Sequence, residues 1–142
     1  MEDFISFELA KKLKEKGFRE KCLAYYDAED NVGLLYNTQY SDELLPCQYT
    51  DLLASYNSGD IAANLDTSDN CIDAPTISQV LKWLREEKKV YLELVIVVDA
   101  EYMCDIYKID ARPIECLGST EYSKTYEAAA LAGIGYCLDN LI

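Results

Sequence analysis

The sequence predicts an α+β fold: an antiparallel sheet of about four strands, arranged as two hairpins and packed with three main helices, in the order α-β-β-(loop)-α-β-β-α. Three observations lead to it. Two amphipathic stretches begin at capping residues, Ser6 and Thr76, and each is followed by an apolar, β-branched or aromatic run interrupted by a short acidic turn. A third helical pattern closes the chain after Thr125. At 142 residues, half of them apolar, the chain fits a single domain spanning residues 1–142.

In the first helix Leu9, Ala10 and Leu13 share a face, while Lys12 and Lys16 point elsewhere. Gly17 can take the left-handed conformation that ends a helix, and Phe18 can then fold back onto Leu13. Strand-like runs over Cys22–Tyr26 and Val32–Tyr36 flank Asp27-Ala28-Glu29-Asp30-Asn31, whose Asp and Asn residues suit a turn, so the pair reads as a hairpin. From 37 to 73 the pattern decays into a long, acidic, irregular excursion, with a short helix expected at Thr50–Ala54 and a turn at Asn57-Ser58-Gly59-Asp60.

Order returns at Pro75. Thr76 and Gln79 have the spacing of a capping box, and Ile77, Val80, Leu81 and Leu84 form the apolar stripe of the helix that follows. Lys89–Asp99 is dense in β-branched residues and suits a central, largely buried strand, with Glu101–Asp110 returning antiparallel across the short Asp99-Ala100-Glu101 connection. The last helix places Leu131, Ile134, Leu138 and then Leu141 or Ile142 on one side. Its small residues, Ala128 to Ala130, Ala132, Gly133 and Gly135, permit close packing on the sheet or against a second copy. A faint internal echo, Lys11–Lys16 to Asp27 against Lys82–Glu87 to Asp99, suggests two helix-plus-hairpin units.

Charge is strongly segregated. Residues 22–81 contain no lysine, arginine or histidine, yet carry ten carboxylates, which supply most of the net charge of −13. Phosphate-rich partners are therefore disfavoured near the middle of the chain, and the lysines of the first two helices read as solvated faces that complement helix C-termini. The start Met1-Glu2-Asp3 lacks the basic and apolar regions of a secretory leader, and no apolar run approaches the ~20 residues of a membrane-spanning helix, so a cytoplasmic location is expected. Six cysteines at wide spacing lack a paired ligand motif and read as reduced thiols.

The chain contains no histidine, which removes Ser-His and Cys-His catalysis and histidine-based metal sites. Its six glycines form no phosphate-binding loop, and the acidic turns at Asp27 and Asp66 miss the glycine and glutamate of a calcium loop. Neither a cofactor nor a metal is expected. The leading expectation is a non-enzymatic accessory protein that binds a protein partner bearing a basic surface, and self-association is left open. The candidate contacts are Tyr40, Tyr49, Asp51, Tyr56 and Asp60, because tyrosine and carboxylate together suit a polar docking surface. Two alternatives stand beside it: an acidic nucleic-acid mimic, and a hydrolase built on two carboxylates.

Three stretches also carry a resemblance: Phe7 to Phe18, Ala74 to Glu86, and Tyr126 to Ile134 with Leu141-Ile142. In these the chain resembles the small uncharacterised proteins of Bacteroides-type bacteria and their phages and mobile elements. The resemblance implies a phage or mobile-element origin and a shared fold, and it brings no catalytic residue or ligand.

Overall fold

The structure is a computed structural model that describes residues 3–27, 34–36, 38–41, 48–51, 57 and 71–142. It has the expected α+β class. Three helices, α1 (Phe7–Glu15), α2 (Ile77–Glu87) and α3 (Tyr126–Asn140), accompany the strands β1 (Ala24–Asp27), β2 (Leu34–Tyr36), β3 (Thr38–Ser41), β4 (Gln48–Asp51), β5 (Cys71–Asp73), β6 (Val90–Val97), β7 (Glu101–Lys108) and β8 (Glu115–Ser119). The strands form antiparallel sheets in the orders β2-β1-β5, β3-β4 and β6-β7-β8. The expected count of about four strands is too low among the described residues. The strands that sequence reasoning missed are short or polar, and their pairing is decided by distant partners.

The described residues group into two compact units, Phe4–Pro75 and Thr76–Ile142 with the first three residues. In the first unit, Ser6 caps α1 through the Leu9 amide (3.3 Å). Gly17 stops it at φ 91°, with Phe18 N–H donating to the Leu13 carbonyl (2.9 Å) and Gly17 N–H to that of Lys14 (3.2 Å). This is the expected glycine stop, and both Phe18 and Leu13 are fully buried. Tyr26 on β1 donates its hydroxyl to the Ile5 carbonyl (2.7 Å) and meets the Phe7 ring edge-on at 5.5 Å. The helix entry is thereby tied to the sheet. Burial raises the phenol pKa of Tyr26.

Residues 37–73 are less irregular than the sequence suggests. The β3-β4 hairpin and β5 all lie in this segment, and Thr50 and Asp51 belong to a strand where a short helix was expected; residues 52–54 lie outside the described residues. Cross-strand pairing overrides the local helix propensity there.

In the second unit the capping box is present: the Gln79 amide donates to Thr76 Oγ1 (3.2 Å), and the Thr76 amide to Gln79 Oε1 (3.0 Å). The buried stripe of α2 is Ile77, Val80, Trp83 and Leu84, while Leu81 is only half-buried. The sheet corrects another expectation. β7 is its central strand and β6 an edge, so β6 alternates between buried and exposed positions and is not buried throughout. The third strand, β8, joins β7 with Leu117 bulged out of register, whereas in the first unit the third strand joins β1. The internal echo thus extends to a helix and hairpin, and not to strand order.

On α3, the buried residues are Ala129, Ala130, Gly133, Ile134, Cys137 and Leu138, and Leu131 is displaced from the expected face. Glycine explains the shift. A Cβ at Gly133 would stand 2.5 Å from Cys104 Sγ and 2.9 Å from Leu92 Cδ2, so the helix backbone lies directly on β6 and β7. Of the small residues, Gly133 packs directly on the sheet and Ala129 and Ala130 are buried, while Ala128 and Ala132 are exposed.

Candidate functional site

The acidic segment is only partly described. Backbone register in β3-β4 sets Tyr40 opposite Tyr49 and Thr38 opposite Asp51. Three of the five candidate residues therefore come from one hairpin, while Tyr56 and Asp60 lie outside the described residues.

Two residues of this segment, the half-buried Asn57 and the buried Asp73, form a polar clasp. Asn57 N–H donates to Asp73 Oδ2 (3.1 Å), and Asp73 N–H donates to Asn57 Oδ1 (3.3 Å). Asn57 also donates its side-chain amide to the Phe18 carbonyl (2.9 Å), and its own carbonyl accepts from Arg19 Nη1 (2.6 Å). Asp73 is fully buried. One carboxylate of the acidic tract is therefore a structural anchor and cannot join an outward array that imitates a phosphate backbone. Its charge, second to burial, raises the pKa of the neighbouring Cys22 thiol.

Four of the described thiols are shielded by burial. Cys22, Cys71, Cys104 and Cys137 are buried and unbridged, and Cys116 is unbridged and exposed. Burial pushes Cys104 up to about 12, helped by Asp105, and pushes Cys137 up to about 12, helped by Cys104. Among the described residues, no group of three or more cysteines and carboxylates could hold a metal ion.

Sequence reasoning missed a cleft in the second unit. About 400 Å³ in volume, it is lined by Leu81 and Arg85 of α2, Tyr91 to Leu94 of β6, and Tyr126 at the start of α3. Tyr126 is held edge-on against Tyr102 at 6.2 Å. Glu93 is the one acidic residue among those that line the cleft.

The β6 backbone has two kinds of position along this cleft. Ile109 N–H donates to the Lys89 carbonyl (3.0 Å), and antiparallel bonding alternates with a period of two. Residues 91, 93, 95 and 97 thus bond to β7, whereas Leu92, Leu94 and Ile96 turn their N–H and C=O groups away from it. The same alternation on β7 sends Tyr102 to Ser123 (2.8 and 2.7 Å) and Cys104 to Thr120 (2.9 Å) on the opposite side. Among the described residues, no strand pairs with the outer edge of β6.

On the sheet face away from the helices, register sets Glu93 directly opposite Asp105. Ser119 donates its hydroxyl to Asp105 Oδ1 (2.6 Å). Partial desolvation, then the charges of Asp105 and Glu93, raise the Tyr107 phenol pKa.

The described residues define a chain of the α+β class. Compared with protein-family models, curated proteins and solved structures, the chain matches none. No helix among the described residues is long and apolar enough to cross a membrane.

Proposed function

We infer that the chain is a non-enzymatic accessory protein that works by binding a protein partner with a basic surface. The observation that carries this reading is the β3-β4 register, which sets Tyr40 opposite Tyr49 and includes Asp51 in the same hairpin, inside a tract devoid of cations. Paired tyrosines with a nearby carboxylate combine rigid amphipathic area with a charge that steers a cationic partner. Reduced, unbridged thiols suit a cytoplasmic setting, and the accessory role fits a phage or mobile element.

The test replaces Tyr49, Asp51 and Tyr56 together, each with alanine, and captures partners from the native host cell. Loss of a co-purifying protein, with the circular dichroism spectrum unchanged, is the expected result. Undiminished capture would overturn the reading.

A further inference from the structure

We propose that the outer edge of β6 is a second docking site, independent of the acidic hairpin, and that it takes an extended basic segment of a partner protein as a fourth strand of the β6-β7-β8 sheet.

The backbone supplies the first argument. Leu92, Leu94 and Ile96 present three outward N–H and C=O pairs along an edge that no described strand covers. Edge strands exposed in this way are normally blunted by lysine, proline or a bulge. β6 reads Val-Tyr-Leu-Glu-Leu-Val-Ile-Val, pairs with β7 in unbroken register and carries a single charge. Ile96 remains 71% exposed and Val98 at the following turn 82%. An added strand would satisfy the outward groups and cover this apolar edge.

The cleft supplies the second argument. It runs beside the same edge, with Leu81, Arg85 and Tyr126 on the helix side, so alternate side chains of an added strand would enter a recess of mixed polarity and meet Leu81 and the exposed Ile96. The intervening side chains would project on the other face, next to Glu93.

That face decides the occupant. Like charges directly opposite in a sheet repel, and the Ser119 hydroxyl holds Asp105 without supplying a cation. Arg85, the cation that lines the cleft, belongs to the helix side. A lysine or arginine on the added strand would be the cross-strand neighbour of Glu93 and relieve the pair. A second copy of this chain would bring a matching carboxylate row and another −13 of net charge to the same edge. The site therefore fits a segment that alternates apolar and basic residues.

The probe is a fluorescein-labelled synthetic peptide of alternating valine and lysine, titrated against the full chain at about 150 mM salt and read by anisotropy. Ile96→Pro removes an outward N–H at an exposed edge position without taking a ladder bond to β7 and without changing net charge. It is expected to weaken binding about tenfold or more. Glu93→Lys is expected to weaken the valine-lysine peptide and to favour a valine-glutamate one. The triple change at Tyr49, Asp51 and Tyr56 should leave peptide binding intact, which separates this site from the hairpin. Circular dichroism and a urea midpoint confirm that each variant is folded. Absence of peptide binding, binding indifferent to Ile96→Pro, or equal affinity for the valine-glutamate peptide would each overturn the proposal. So would a concentration-dependent dimer in sedimentation that Ile96→Pro abolishes, because the occupant would then be a second copy.

Discussion

Asp99 and Ala100 both occupy the left-handed region, at φ 64° and 57°, in the turn between β6 and β7. They follow Val98 in the three-residue loop that joins the paired Val97 and Glu101, and glycine is the residue that takes a left-handed loop position without a clash. Ala100 pays a steric cost there that glycine would not. Ala100→Gly is expected to raise stability by about 1 kcal/mol, after allowance for glycine's greater unfolded-state entropy, as read from the urea midpoint. Asp73 presents the opposite case. Its removal would leave the Asn57 amide without its buried acceptor, so Asp73→Ala should cost about 3 kcal/mol in the same measurement. The buried thiols give a pH signature. Their folded-state pKa values lie above the ordinary 9.0, so the unfolded chain loses protons first as pH rises. Stability is fully present below pH 9 and declines as the pH climbs from 9.0 towards about 12, which denaturation curves across that range would register. Cysteines appear in the sequence as a count and a spacing. Only the fold separates the four buried thiols from Cys116.

At the scale of elements, the caps and stops were legible because they are local. Ser6, Gly17, Thr76, Gln79 and Thr125 act within four residues of their partners, and each does in the structure what its position implies. Thr76→Ala should therefore lose about 1 kcal/mol, with a matching fall in melting temperature. The face of α3 was less legible. Its expected stripe ran through Leu131, yet the helix turns Ala129, Ala130 and Gly133 inward, because Gly133 has to sit on Leu92 and Cys104. Gly133→Ala sets a gain in helix propensity of about 1 kcal/mol against an overlap that forces the helix away from the sheet. The overlap wins, and a net loss of about 1–2 kcal/mol is expected from chemical denaturation, with weakened packing seen in near-ultraviolet dichroism. The strand β6 was legible as a strand and misread as central. Its run of Val, Leu and Ile reflects one face under α2 and α3 and one edge left unpaired, and composition cannot distinguish burial on two faces from burial on one plus an apolar edge.

For the whole molecule, a net charge of −13 concentrated in one tract implies a field that attracts cationic partners from a distance. Partner capture through the acidic hairpin should fall as salt rises from about 0.05 to 0.5 M, where the screening length drops several-fold; capture unaffected by salt would count against an electrostatic contribution. Of the proposed surfaces, the sequence indicated the acidic tract and its tyrosines, through composition alone. It gave no sign of the β6 cleft, whose walls come from residues 81, 85, 91–94 and 126 and meet only when two helices settle on a sheet. The helices, their caps, the two hairpins and the asymmetry of charge follow from the amino-acid order, since each depends on neighbours a few positions away. Strand order, the Asn57–Asp73 clasp, the inward face of α3 and the unpaired edge beside the cleft were decided by tertiary structure. Each of these depends on groups far apart in the chain, and a local pattern carries no record of which distant backbone will arrive to pair with it or leave it open.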